Sequence, residues 1–92
     1  MKKYEDWEKI KKSLHISKEQ EAEIKLEEEL IEATIKARNS KKLTQRALSE
    51  ITNIPQSTIA RIETGLVSPK IETLNKLLIA MGYRLKIVKI DE

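Results

Sequence analysis

Between residues 43 and 82 the apolar positions recur at helical spacing, but the pattern is cut three times, at Thr52-Asn53-Ile54-Pro55, at Gly65 and at Gly82. Asparagine tolerates a left-handed backbone, proline lacks the N–H that a helix interior needs, and glycine is the usual residue just past a helix end. No helix in this stretch can exceed about four turns, and helices that short are marginal alone in water. The segment is therefore committed to a bundle of short helices packed on one another. Thr44 reads as the N-cap of the first, which runs through Ile51. Pro55 fits the start of the second, ending near Thr64. Ser68 and Pro69 open the third, whose apolar stripe is Ile71, Leu74, Leu77, Leu78 and Met81.

The rest of the chain adds a short helix, a long helix and one extended segment. Tyr4, Trp7, Ile10 and Leu14 are spaced 3, 3 and 4 apart, one stripe of a short amphipathic helix over about 3–14. Ser17 followed by Gln20 is a capping-box signature. It opens the longest helix, to about Asn39, with Leu26, Leu30, Ala33 and Ala37 as its stripe and Ile24, Ile31 and Ile35 beside it. Residues 83–90 alternate as far as Ile87 and are β-branched, which reads as a strand. The expected architecture is mainly α, with five to six helices and one C-terminal β-strand. Residues 1–16 form an N-terminal arm, 17–82 the helical domain and 83–92 the pairing strand.

Composition narrows the function. A chain of 92 residues supports one modest core, and with no Phe, one Trp and two Tyr that core is built from Leu, Ile and Ala. The absence of Cys removes disulfides and cysteine metal sites, and His15 alone makes no metal site, so neither metal nor cofactor is expected. No apolar run approaches the roughly 18 residues of a span, and none follows the first lysines, so a soluble cytoplasmic protein is expected. Catalysis finds no footing: one His, no Gly-rich phosphate loop, and Glu residues gathered in a helical run whose ordinary explanation is a solvated face.

The net charge of +3 hides an asymmetry. Residues 1–40 carry nine basic and ten acidic side chains, and residues 41–92 nine basic and five acidic. Residues 19–32 hold seven Glu against one Lys. Either this run is a solvated helix face, or the first part meets a basic partner and the second an anionic one such as nucleic acid.

Two short helices joined by a tight turn make a helix-turn-helix reading available. On the second of them Gln56, Ser57, Thr58 and Arg61 share one side, and Ile59 and Ile62 the other. The apolar side anchors the helix, leaving the polar side free to enter a major groove. There a Gln amide matches adenine and an Arg fork matches guanine. Gln45 starts the preceding helix, where backbone N–H groups and the dipole favour a phosphate. Short polar helices are also common as plain solvated faces.

Residues 43–63, Leu-Thr-Gln-Arg-Ala-Leu-Ser-Glu-Ile-Thr-Asn-Ile-Pro-Gln-Ser-Thr-Ile-Ala-Arg-Ile-Glu, resemble the helix-turn-helix of the Cro/C1-type (XRE) repressors. The likeness extends through Gly65, Pro69 and Glu72-Thr73-Leu74 to about Met81. It departs at Asn53, where Gly is frequent, at Thr52, where Leu is frequent and whose replacement implies a slightly weaker local core, and at Ser49, where Ala is frequent. The resemblance implies base reading by Gln56, Ser57 and Arg61, and phosphate contact or positioning by Gln45 and Thr58. It also implies an internal ion pair between Arg38 and Glu63, which match positions that pair in related repressors. In relatives of this motif, dimers engage half-sites about one helical turn apart, on the order of 34 Å.

A long helix leading into Leu-Thr-Gln, and a Gly-Tyr-Arg-Leu strand after the last helix, is similar to the HigA-like antitoxins. That resemblance implies two activities: neutralising a small basic HigB/RelE-like ribonuclease toxin, and repressing the chain's own operon through operator DNA. A stand-alone phage-type or chromosomal XRE repressor is the alternative. Under the antitoxin reading Tyr4, Trp7, Ile10 and Leu14 are the toxin-binding stripe; otherwise they pack back on the long helix. The lone strand at 83–90 needs a partner, so Leu85 and Ile87 are expected in a homodimer interface, or against the toxin's sheet.

Overall fold

The structure, a computed structural model, describes Lys9, Lys12 and residues 15–90. Four helices are found among the described residues: α1 over Lys18–Ser40, α2 over Gln45–Thr52, α3 over Gln56–Glu63 and α4 over Ile71–Ala80. None of them is long and apolar enough to cross a membrane. Of the helix expected over 3–14 only Lys9 and Lys12 are described, both helical, and Tyr4, Trp7, Ile10 and Leu14 lie outside the described residues.

The helix starts follow from local chemistry. Ser17 Oγ accepts from the Gln20 backbone N–H at 3.1 Å, and Gln20 Oε1 accepts from the Ser17 N–H at 2.9 Å, so two otherwise orphaned donors are satisfied reciprocally. Thr44 Oγ1 accepts from Ala47 N–H at 3.0 Å and starts α2. Pro55 precedes α3 as its N-cap, extended at φ −54°, ψ 139°, so the proline sits one position earlier than the first helical residue. The expected start of the last helix differs. α4 begins at Ile71 behind Lys70, with no side-chain cap, and Ser68 Oγ instead donates to Glu27 Oε2 at 2.5 Å across to α1.

Left-handed residues close the turns. Asn53 stands at φ 61° and ends α2, and Gly65 at φ 78° follows α3. A side chain at Gly65 would be strained by its backbone, although the nearest neighbour of its Cβ position, Ile31 Cδ1, is an ordinary 3.7 Å away. Lys42, at φ 56°, takes the left-handed position between α1 and α2, where nothing in the residue types announced it.

Helix α2 packs on α3 and α4, and α1 packs across both α3 and α4. The core is Leu48 from α2, Ile59 and Ile62 from α3, Leu74, Leu77 and Leu78 from α4, with Ala37, Ile54 and Met81. Each fully buried Leu or Ile side chain contributes about 1.5–3 kcal/mol through removal from water. The stripes read from spacing need two corrections. On α1 the buried positions are Thr34 and Ala37, with Leu30 half-buried, while Leu26 and Ala33 are exposed. Its packing partners reach mainly the second half of the helix. Ile71 is 77% exposed, because the buried face of α4 begins a turn later, at Leu74.

The expected strand does not form: residues 83–90 carry no regular secondary structure, and no strand is found among the described residues. A strand is defined by its ladder, and the described residues offer no second strand to complete one. The start of this segment is tied down by Tyr83 N–H donating to Leu78 O at 2.8 Å.

Candidate nucleic-acid interface

The turn between α2 and α3 consists of Asn53, Ile54 and Pro55, and it is stitched by side chains. Ser49 Oγ donates to Ile54 O at 2.6 Å. Thr52 Oγ1 donates to Leu48 O at 2.7 Å and accepts from Ile54 N–H at 3.3 Å. Ser49 and Thr52, two of the positions that depart from the repressor pattern, thus fasten the turn by hydrogen bonds. Buried Ile54 plugs the turn between the helices.

This turn fixes which side of α3 is free. Ile59 and Ile62, 0% and 1% exposed, face inward. Gln56, Ser57 and Arg61 are exposed, and Thr58 is half-buried. The three exposed groups lie within about one and a half turns of helix. They form a row of amide, hydroxyl and guanidinium with no protein partner among the hydrogen bonds of the described residues. Such a row presents donors and acceptors of the kind that base edges match.

Gln45 is placed differently from a free surface amide. It is half-buried, and its Nε2 donates to Glu63 Oε1 at 3.0 Å. Glu63 in turn takes both arms of Arg38: Nε to Oε2 at 2.8 Å and NH2 to Oε1 at 2.9 Å. The remaining guanidinium arm donates to Leu43 O at 2.9 Å, tying the end of α1 to the loop before α2. The side chains of Arg38 and Glu63 are only 15% and 6% exposed. Burial pushes the Glu63 carboxyl upward, but hydrogen bonds from Arg38 and Gln45 and the guanidinium charge outweigh it, so its pKa lies below the ordinary carboxylate value. The hydrogen bond to Glu63 holds the Arg38 pKa above its ordinary value, against the opposing effect of burial. The shared use of Glu63 by Arg38 and Gln45 is absent from the reading of the sequence, since helical spacing carries no information on a contact 18 residues apart.

Three short helices around a small core, the first two joined by a three-residue turn and the second of them polar and exposed, define a helix-turn-helix protein. The chain belongs to the family described as Helix-turn-helix, which it matches over residues 35–88, as a domain of the XRE type. It is 34% identical over 83 residues to an uncharacterized HTH-type transcriptional regulator of Haemophilus influenzae, covering 90% of this chain and 84% of that one. Its structure is similar to a toxin–antitoxin module from Streptococcus pneumoniae, with a TM-score of 0.70 and 34% identity over 91% of this chain and 92% of the other. Family and fold place the chain among DNA-binding transcriptional regulators.

Proposed function

We propose that the protein is an antitoxin: it binds operator DNA of its own operon through α3, and it neutralises a small basic HigB/RelE-like ribonuclease toxin through residues 1–32. The observation that carries the second half is the likeness to a toxin–antitoxin module over nearly the whole of both chains, rather than over the helix-turn-helix alone. The first half of α1 supports it. Glu19, Glu23, Glu27, Glu28, Glu29 and Glu32 are all exposed, and Leu26 is 54% exposed among them. An acidic stretch of helix with an exposed apolar side chain in it suits a basic protein partner. On the DNA side Gln56, Ser57 and Arg61 read bases, Thr58 positions the helix, and Gln45 with the first N–H groups of α2 meets a phosphate.

The stripe of Tyr4, Trp7, Ile10 and Leu14 is the toxin anchor in this reading, because aromatic side chains bury large area with few rotatable bonds. Co-expression with the product of an adjacent small basic reading frame tests it. Trp7→Ala is expected to weaken that complex by about 2 kcal/mol or more while leaving DNA binding nearly intact. A chain lacking residues 1–16 that still protects cells from the toxin, with undiminished affinity, contradicts this assignment. The alternative, a stand-alone repressor, is favoured by the transcriptional regulator to which the chain is similar. It predicts that no neighbouring gene product co-purifies.

Residues 83–90 serve a homodimer in this account. Ile87 is 98% exposed, Val88 72%, Ile90 83% and Leu85 39%, an apolar tail that the described residues leave largely uncovered. Pairing Leu85 and Ile87 with a second copy covers it and sets two α3 helices for two half-sites. Truncation after Gly82 is expected to give monomers by sedimentation, with much weaker DNA binding. A truncated chain that still sediments as a dimer moves the interface to α4, where Ile79 and Ala80 line a shallow groove with Ile51 of α2.

A further inference from the structure

The Glu63 carboxylate poses an electrostatic problem for the phosphate seat assigned to the start of α2. It is hydrogen-bonded to Gln45, the first residue of that helix, through Oε1. A bare carboxylate there repels the phosphate that the helix dipole and the free N–H groups attract. Three N–H groups of Arg38 are spent on Glu63 and Leu43, and the side chain is 15% exposed, so its guanidinium is turned inward rather than presented to a ligand. Oε1 accepts from Arg38 and Gln45 together. Its second acceptance orients the Gln45 amide, whose other N–H remains available.

We infer that Arg38 and Glu63 are positioning residues for DNA backbone recognition: Glu63 holds the Gln45 amide at the phosphate seat, and Arg38 masks the charge that would otherwise turn the phosphate away. This rests on the proposed docking of DNA against α2 and α3. It separates two roles that one ion pair combines. As a structural tie the pair needs both charges. As a mask it needs only that the carboxylate not be left bare, so removing the Glu63 charge is harmless to DNA binding and removing the Arg38 charge is not.

The test uses the full-length chain and a duplex selected by the parent protein from a randomised pool, at a temperature where circular dichroism shows every variant folded. R38M is expected to bind that duplex more weakly by on the order of tenfold. R38M/E63Q should return to within about threefold of the parent, because the uncharged amide oxygen that E63Q introduces still accepts from Gln45. E63Q alone should bind at least as tightly as the parent although it is less stable, a direction that a purely structural role does not give, and this arm stands even if R38M fails to fold. Should R38M/E63Q remain as weak as R38M, or E63Q bind about tenfold more weakly than the parent, the mask is overturned. A parent chain that selects no duplex at all fails the DNA reading itself, and this inference with it.

Discussion

Arg38→Met is expected to lower folding stability by about 3 kcal/mol, the range found when one partner of a shielded ion pair is removed. The burial of both side chains sets this magnitude, since a solvent-exposed pair would be nearer about 0.5 kcal/mol. The loss arises because the Glu63 carboxylate keeps the desolvation cost and loses two charge-assisted hydrogen bonds. Glu63→Gln should be costly for the mirror reason, and the double change less costly than the sum of the two. Thermal and denaturant melts of the three variants measure the coupling, and purely additive effects contradict it.

The same pair makes stability depend on pH, and the sign follows from its direction. Glu63 titrates lower in the folded chain than its ordinary value of 4.5. The unfolded chain therefore takes up the proton first as pH falls, and the stability contributed by the carboxylate is present above that value and lost through the acid range below it. In R38M/E63Q this component of the acid loss should vanish, leaving a flatter profile below about pH 4.5.

Arg61→Ala is expected to weaken binding to the selected duplex by roughly 1–3 kcal/mol, about five- to 150-fold, and to relax preference at one base pair per half-site. Arg61 is exposed on α3 with Ile59 and Ile62 buried behind it, so its removal leaves the core untouched and the melting temperature should not move. Gln45→Ala should behave differently, weakening binding across all sequences with the salt slope unchanged, because a phosphate contact carries no base information and a neutral amide displaces no counterion. If Arg61→Ala binds the selected duplex as tightly as the parent, α3 is not docked through this face.

Much of this organisation was legible because it is local. Ser17 with Gln20, Thr44, Asn53 and Gly65 each announce a helix end through their own hydrogen bonding or backbone freedom, and each ends or begins a helix in the structure. The inward face of α3 was legible too, since Ile59 and Ile62 are three residues apart in a helix whose other residues are mostly polar. What failed was non-local. Leu26 and Ile71 continue apolar stripes at helical spacing, but spacing does not say where a packing partner stops, and both lie beyond that limit. Residues 83–90 have the alternation of a strand, but alternation cannot supply the neighbour whose hydrogen bonds make one. Ser68 has the chemistry of a cap and finds Glu27 instead, because α1 passes within reach of the loop. Only the family resemblance sets Glu63 opposite Arg38 ahead of the structure. Its second partner, Gln45, is brought to it only by the packing of α2 beside α3.

Entry of α3 into a major groove with Arg61 against guanine is the central contact, and base-modification interference on the selected duplex tests it directly. Methylating guanine N7 blocks the acceptor that a bidentate arginine needs. Interference is expected at guanines in two half-sites about one helical turn apart, with one guanine per half-site losing its effect in Arg61→Ala. Interference confined to adenine N3 in the minor groove, or a guanine pattern unchanged by Arg61→Ala, contradicts this docking.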